Sequence, residues 1–583
     1  MSRITARRAL AIAASAALAV SGLIVVSSPA NAATPKPGGI LYMLEHEPRL
    51  DHLDPTRVYT GRDLAFMNSF HTRTLVAYNP VPGAAGANII PDLATNTGVP
   101  SKQAKVWSFT LRPGTKFEDG TPITCEHVRY GVSRVFAQDV LPGGPTYLIS
   151  WLDIPKDAEG NSIYAGPYAA TPEGTKAFNK AVACSKDNRT ITFTLNKSIA
   201  DFNYLATYGV ISPVQKKKDT GDKYDLNPQA TGPYKIVENS ANQLRLVRNK
   251  NWKKSSDPVR TPYPAEVIIK FGLDEEVIDQ YMLNDTFPNA INFGGPLPTN
   301  KDLFFASDKF KNQRINTNDP YTRYWAFNVK KLSCKAVRAA IYHAYNAKAL
   351  IDYAGGTEFA GSYATGAISP LLGLDYAPTK VVGPGSTDFR PTGNVDKAKA
   401  YLEQAKAGSA ACKAEAAKVT TEGFTLDVSA SATLTDTVPI NTAAFARAGI
   451  KFNVNIISKG YYSTVMNPDL QSDMSVAGWG ADWANASTVI PELFTTAGGF
   501  NLSQNSADPA YAAFEAKVNA AMLETNRVKQ AALWKALDKL AMQNFWIMPT
   551  RFGKAQFVWG SKVGGAFFWV PQGNLAFGKL YVK

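Results

Sequence analysis

The sequence predicts an α/β protein made of two lobes. Its 583 residues are too many for one hydrophobic core and suffice for two or three domains. A content of 45% apolar and 19% charged residues is typical of a globular chain. Strand-like runs alternate with amphipathic helices, most clearly in the second half, and this alternation predicts βαβ units around parallel or mixed sheets.

The N-terminus differs from the rest of the chain. Three arginines precede an apolar, alanine-rich run at 9–26, and "PANAA" follows it. This pattern predicts a cleaved signal peptide over residues 1–32, so we expect an exported protein. The paired arginines leave the Sec and twin-arginine routes open. The segment has no lipobox cysteine.

Periodicity locates the elements of both halves. Strands are predicted over 40–44, 106–111, 190–195, 231–238, 244–249, 324–329, 424–429, 451–457 and 473–478. Helices are predicted over 61–75, from near 124, and over 335–350, 396–407, 436–448, 509–524 and 526–542. Residues 142–180 are rich in Gly, Pro and Tyr, and we expect an irregular insertion there.

The cysteines, histidines and basic residues restrict the ligand classes. Four cysteines in an exported chain, Cys125, Cys184, Cys334 and Cys412, predict two disulfides, for which the sequence alone allows three pairings. The five histidines are far apart, so we expect no metal and no cofactor. The formal net charge is +14, but the densest basic run, 216–218, has acids beside it. We therefore expect no nucleic-acid partner.

An exported hydrolase is the first function to test. The sequence has no GxSxG, SxxK or HExxH motif. Paired carboxylates such as Glu118-Asp119 stand beside turn residues, which is typical of solvated loops. A hydrolase stays an alternative, since glycosidase carboxylates have no local signature. An aromatic content of 11% instead favours a ligand-binding cleft.

Several motifs resemble one family of receptors. The run "VWSFTLRPGTKFEDGTPITCEHVRYGVSRVF" at 106–136 resembles the signature region of extracytoplasmic solute-binding proteins of family 5, the peptide, nickel and oligosaccharide receptors of ABC importers. "ATGPYKI" at 230–236, "LVRNKNW" at 246–252, "YWAFNVKK" from 324 and "GWGADWAN" at 478–485 follow in the family's order. The resemblance is collinear over nearly the whole chain.

The resemblance implies a large type II binding protein. Lobe I would comprise about 38–312 and 545–583, with an extra subdomain at about 81–210, and lobe II would comprise 313–544. Such receptors close around a ligand by hinge motion and then dock on a membrane permease. We therefore expect a monomeric, non-enzymatic receptor that delivers short peptides to an ABC permease, with an oligosaccharide receptor as the alternative.

The late motif carries the expected ligand site. In peptide-binding members of the family, the aspartate of a W-x-x-D motif binds the peptide's α-ammonium group, and Asp482 occupies that place here. A carboxylate beside apolar rings favours a cationic ligand because its desolvation is costly. Backbone groups near Gly478 to Gly480 and the strand at 324–329 would pair with the peptide as an added strand. The predicted ligand-binding residues are Asp482, Trp479, Trp483, Gly478, Gly480, Tyr324, Trp325 and Asn328.

Structural roles for the same residues stay open in the sequence. Asp482 also suits the cap of a helix that begins near Ala486. Trp479 and Trp483 suit the core as well as stacking on a ligand, and a Trp-rich site would also suit a sugar.

The expected lobes also favour one disulfide pairing. Cys125 would pair with Cys184 and Cys334 with Cys412, because each pair then lies within one lobe and leaves the hinge free.

Overall fold

The computed structural model describes residues 35–524 and 526–583. The expected signal peptide, 1–32, lies outside these residues. The strands are β1 Ile40–Leu44, β2 Val76–Tyr78, β3 Ile89–Pro91, β4 Val99–Ser101, β5 Val106–Thr110, β6 Val182–Cys184, β7 Thr190–Thr194, β8 Tyr234–Asn239, β9 Gln243–Arg248, β10 Glu266–Lys270, β11 Ala290–Asn292, β12 Arg314–Phe327, β13 Gly361–Tyr363, β14 Phe424–Ser429, β15 Phe452–Ile457, β16 Met474–Gly480, β17 Ile547–Val558, β18 Val563–Gly564, β19 Phe568–Trp569, β20 Asn574–Leu575 and β21 Tyr581–Val582.

The helices follow the same chain order. They are α1 Gly61–Phe70, α2 Cys125–Arg134, α3 Tyr147–Trp151, α4 Pro172–Ala181, α5 Phe202–Leu205, α6 Glu275–Leu283, α7 Lys301–Phe305, α8 Lys335–Ala344, α9 Ala347–Tyr353, α10 Val395–Lys406, α11 Ala410–Thr421, α12 Leu434–Ala446, α13 Tyr461–Val465, α14 Ile490–Phe494, α15 Tyr511–Leu523 and α16 Arg527–Gln543.

Two large mixed sheets divide the protein, as the predicted α/β class requires. One has five strands in the order β11-β1-β10-β9-β8, in which β1 is parallel to β10 and to β11. The other has six strands in the order β13-β17-β12-β16-β14-β15, and β14 is parallel to β15 and to β16. We call the part with the five-stranded sheet lobe I and the part with the six-stranded sheet lobe II. Each has its own buried hydrophobic core.

A smaller sheet lies inside lobe I. Its four antiparallel strands have the order β4-β5-β7-β6 and fall within the subdomain expected at about 81–210. The apolar side chains of β5 and β7 alternate with polar ones, so one face of the sheet is buried. Helix α2 begins with a capping box between Thr124 and His127 and packs beside this sheet.

Two long antiparallel strands, β12 and β17, connect the lobes. They pair from Arg314 with Val558 to Ala326 with Ile547, and a bridge from Ile291 to Trp559 joins their far end to the lobe I sheet. Strand pairing places β17 in the six-stranded sheet, although the sequence-based limit at residue 545 assigned it to lobe I. The limits of the lobes stay a prediction.

Both disulfides lie within one lobe each. Cys125 is bonded to Cys184 and Cys334 to Cys412, the two pairs that the lobe division favoured. Each links a helix to a neighbouring segment, so neither crosses between the lobes.

The predicted elements differ from the observed ones at a few places. The helix expected over 335–350 is two helices, α8 and α9, because Asn346 begins a second helix by capping the amide of Ala349. Helix α11 was missed in an alanine-rich stretch that has little contrast between its faces. None of the described helices has the length and apolar character that crossing a membrane requires.

Candidate functional site

Asp482 lies in a tight loop at the end of β16. Its backbone N–H donates to Oγ1 of Thr488 at 3.1 Å, which fixes the loop against the following helical turn. That turn is capped by Asn485, whose Oδ1 accepts from the amide of Ser487 at 3.0 Å. The side chain of Asp482 therefore does not cap the helix, and the capping alternative is wrong.

Tyrosine hydroxyls of lobe I surround the carboxylate of Asp482. Tyr59 and Tyr147 donate to Oδ2 at 2.8 and 2.5 Å, and Tyr208 donates to Oδ1 at 3.0 Å. Tyr78 donates to the backbone carbonyl of Asp482 at 3.1 Å. Because Asp482 belongs to lobe II, these hydrogen bonds hold the two lobes together.

Burial controls the ionisation of this cluster. Desolvation raises the pKa of Asp482 to about 6, although the hydrogen bonds from Tyr147, Tyr59 and Tyr208 lower it in part. Desolvation and the nearby Asp482 carboxylate raise the pKa of each of these three tyrosines well above its usual value. The tyrosines therefore stay protonated at neutral pH and act as donors.

A second buried acid, Glu492 of α14, lies beside the same cluster. Its Oε2 accepts from the amide of Gly499 at 2.7 Å. Desolvation and the charge of Asp482 raise the pKa of Glu492 to about 8, although hydrogen bonds from Gly499 and Tyr147 lower it in part. Within the described residues neither carboxylate forms an ion pair with Lys, Arg or His.

The two tryptophans that flank Asp482 contact protein on different sides. Trp479 packs against Phe500, with ring centroids 4.9 Å apart, and its Nε1 donates to the carbonyl of Thr488. Trp483 instead enters the core of lobe I, where its Nε1 donates to Asp201 at 2.5 Å. Trp483 therefore adds a buried apolar contact between the lobes.

Gly478 and Gly480 let two lobe II side chains approach the strand closely. A Cβ atom at Gly478 would lie 3.1 Å from Cδ of Arg323, and one at Gly480 would lie 2.9 Å from Cδ1 of Tyr321. A side chain at either place would displace its neighbour. The two glycines therefore leave room for the side chains of Arg323 and Tyr321 to pack directly on β16.

The residues expected on the neighbouring strand lie deeper in lobe II. Trp325 stacks on Phe452 in the core, and Tyr324 is also buried there. Asn328 is buried in a turn, where its Oδ1 accepts from the amide of Lys330. The structure therefore brings Trp479 and Trp483 close to Asp482 but leaves these three residues in the interior.

Strand pairing also limits where a ligand backbone can add. β12 pairs with β16 on one side and with β17 on the other along 324–326, so it has no free edge there. The expectation that this strand accepts a ligand strand is therefore not met. β16 pairs with β14 only at Met474 and Ser475. The carbonyl of Val476 accepts from the hydroxyl of Tyr461 at 2.6 Å, so the edge is free of strand pairing and of this contact over 477–480.

Sequence reasoning missed the partners of Asp482. Tyr59, Tyr147 and Tyr208 come from three separate segments of a chain with 25 tyrosines, and no local pattern distinguishes them. Glu492 had a weak signal, since "TVIPELF" places one acid within an apolar run. Groups of three or more His, Cys, Asp or Glu side chains suited to a metal are absent from the described residues.

Comparison with known proteins identifies relatives of this chain. The model of the bacterial extracellular solute-binding proteins, family 5 (middle region), matches residues 88–501. The periplasmic oligopeptide-binding protein OppA of Salmonella typhimurium is 32% identical over 154 residues, which cover 26% of this chain and 24% of OppA. The probable D,D-dipeptide-binding periplasmic protein DdpA of Escherichia coli is 26% identical over 219 residues, or 36% of this chain and 34% of DdpA. The chain thus spans about a quarter to a third of the length of these curated relatives.

Solved structures of other proteins have a similar fold over nearly the whole chain. The clavulanic acid biosynthesis oligopeptide binding protein 2 has a TM-score of 0.75 at 27% identity, with 94% of this chain and 96% of that chain covered. The murein tripeptide binding protein MppA of Escherichia coli has a TM-score of 0.72 at 18% identity, with 94% and 98% covered. The two-lobed type II fold is thereby confirmed. The chain belongs to the bacterial extracellular solute-binding proteins of family 5.

Proposed function

We propose that this protein is the substrate-binding component of an ABC importer, which captures short peptides between its lobes and delivers them to a membrane permease. We further infer that residues 1–32 direct its export and that it acts as a monomer, since both sides of the site come from one chain. The observation that carries the proposal is the burial of Asp482 between the lobes without a cation.

A buried carboxylate of this kind suits one end of a peptide. An ionised carboxylate is costly to bury unless a cation and hydrogen bonds compensate it. The lobe I tyrosines supply hydrogen bonds but no positive charge. The α-ammonium group of a peptide would supply the charge, and the free edge of β16 at 477–480 would pair with its backbone.

The names of the relatives point the same way. OppA is an oligopeptide-binding protein, DdpA is called a probable D,D-dipeptide-binding protein, and MppA binds a murein tripeptide. These names describe binding proteins, which favours a non-enzymatic role over the hydrolase alternative.

The oligosaccharide alternative receives less support. Sugar recognition would use exposed indole faces. Here Trp479 packs on Phe500, and Trp483 is stacked beside Tyr204 inside lobe I. Native mass spectrometry of the purified protein separates the two classes, because bound peptides support the proposal and bound glycans support the alternative.

The substitution Asp482→Asn tests the anchor directly. It should weaken the binding of peptides with a free N-terminus on the order of 30-fold or more, because it removes one partner of a buried charge pair. N-acetylated peptides, which lack the ammonium group, should change little. Isothermal titration calorimetry with paired free and acetylated peptides gives the comparison.

Asp436→Asn is the matched control. Asp436 also accepts a hydrogen bond from a tyrosine, Tyr353, at 2.9 Å, but this pair lies on the surface of lobe II. The control should bind both peptides as the wild type does. An equal loss for free and acetylated peptides in Asp482→Asn would refute the anchor role.

A further inference from the structure

The site contains a second buried carboxylate, that of Glu492, in addition to that of Asp482. Glu492 follows Asp482 by ten residues, is only 6% exposed and lies close enough for the charge of Asp482 to raise its pKa. The Tyr147 hydroxyl lies beside both carboxylates. A Cβ atom at Gly499 would lie 3.3 Å from Oε2 of Glu492 and 3.4 Å from Oγ1 of Thr146, the residue before Tyr147, so Glu492 lies at the interface with lobe I.

The hydrogen bonds of Asp482 are almost complete in the closed protein. An ionised carboxylate offers about four acceptor sites. Tyr59 and Tyr147 occupy Oδ2, and Tyr208 occupies Oδ1. A ligand ammonium group carries three N–H donors, so it finds about one site on Asp482 while the tyrosines stay in place.

The hydrogen bonds of Glu492 are incomplete by contrast. Gly499 donates to Oε2, and the Tyr147 hydroxyl is also near enough to lower the pKa of Glu492. The hydroxyl of Tyr147 has a single hydrogen atom, with which it donates a hydrogen bond to Asp482 at 2.5 Å. Glu492 is thus a side chain buried by more than nine-tenths, with no cation among the described residues to pair with its charge.

We propose that Glu492 determines specificity by binding a second positive group of the ligand, so that the site prefers peptides whose first residue has a cationic side chain. This inference rests on the proposed function. The α-ammonium group would lie on Asp482, and the side-chain cation would lie on Glu492. Two cations neutralise two buried carboxylates, whereas a singly charged peptide end leaves Glu492 protonated.

Two tripeptides that differ by one charge test the preference. Lys-Ala-Ala and norleucine-Ala-Ala have side chains of similar length, and only lysine has the terminal ammonium group. The wild type should bind the lysine peptide more tightly, on the order of 30-fold. Glu492→Gln resembles the protonated acid, so it should bind the norleucine peptide as the wild type does and lose the preference for lysine.

Proton release provides a measurement that needs no variant. At pH 7 the unliganded Glu492 is largely protonated, so the lysine peptide should expel about one proton more than the norleucine peptide does. Calorimetry in two buffers of different ionisation enthalpy measures this difference. Glu515→Gln is the control, since Glu515 is half-buried on α15 and bonds to Tyr511 away from Asp482.

The outcomes distinguish this inference from the function on which it rests. Equal binding of both peptides by the wild type, or equal proton release, overturns the role of Glu492 and leaves peptide capture intact. A lysine preference that Glu492→Gln retains also overturns it. If the wild type binds neither peptide nor any longer one, the proposed function fails and this inference fails with it.

Discussion

Two buried charge clusters in this protein are built in opposite ways. In lobe I, Arg73 and Arg260 each donate to Asp92 at 2.8 Å, and Asp257 lies between the same two arginines. All four side chains are buried and paired. At the lobe interface, Asp482 and Glu492 are buried without any cation among the described residues.

The difference separates charges that are compensated within the chain from charges that are not. Arg260 and Arg73 lower the pKa of Asp257 well below its usual value, despite the opposing effect of burial. Burial dominates at the interface, where the pKa of Asp482 is raised to about 6 and that of Glu492 to about 8. The lobe I charges are compensated within the chain, whereas the proposed ligand would compensate those at the interface.

Breaking the lobe I cluster should produce the largest effect on stability. Asp92→Ala leaves two buried arginines with one acid, and the free energy of unfolding should fall by about 3–5 kcal/mol. Asp482→Asn should cause no comparable loss of stability, because Asp482 has no ion pair to lose. Thermal unfolding of both ligand-free variants measures the contrast. Similar losses would show that the interface acid is structural as well.

The sequence predicted the fold better than it predicted the site. Local alternation located β5 and β7 to within a residue, since neighbouring side chains alone produce that pattern. The motif "GWGADWAN" likewise pointed to Asp482. Whether Asp482 caps the following helix stayed open in the sequence, because an Asp before a helix suits a cap as well as a ligand site.

The surroundings of Asp482 depend on tertiary structure. Tyr59 precedes α1, Tyr147 begins α3, and Tyr208 follows α5, so only the folded and closed chain brings their hydroxyls together. The insertion of Trp483 into the opposite lobe has the same origin. A tryptophan near a cleft looks alike in sequence whether it meets a ligand or another lobe.

The two clusters should also respond to pH in opposite directions. The lowered pKa of Asp257 adds stability above its unfolded value, near pH 4, and this stability is lost as the pH falls. The raised pKa values of Asp482 and Glu492 act the other way. Below about pH 4 both acids are protonated in the folded and unfolded states, and stability then falls as the pH rises towards about 6 and about 8.

The double variant Asp482→Asn/Glu492→Gln isolates this contribution. For Asp482 alone, a rise of about 2 pKa units corresponds to about 3 kcal/mol. The neighbouring Tyr59, Tyr147 and Tyr208 stay protonated over this range. The melting temperature of the ligand-free wild type should therefore fall relative to that of the double variant between pH 5 and 8. If the melting temperatures of the wild type and the double variant change with pH in the same way, the carboxylates of Asp482 and Glu492 are not uncompensated in the folded protein.

The smallest effect concerns the contact between the lobes. Tyr147→Phe removes one of three hydroxyl donors to Asp482, and a hydrogen bond to a charged group contributes about 1.5–3 kcal/mol. Two donors remain, so we expect the ligand-free protein to lose about 1–2 kcal/mol of preference for the closed form. Small-angle X-ray scattering should record a larger radius of gyration.

Tyr234→Phe makes the measurement specific to closure. The Tyr234 hydroxyl is also buried, but it donates to the carbonyl of Pro264 within lobe I at 2.6 Å. Its removal weakens lobe I without touching the interface, so the radius of gyration should match that of the wild type. If both variants match the wild type, the tyrosines satisfy Asp482 without favouring closure. Trp483 and its apolar neighbours in lobe I would then supply the contact that closes the ligand-free protein.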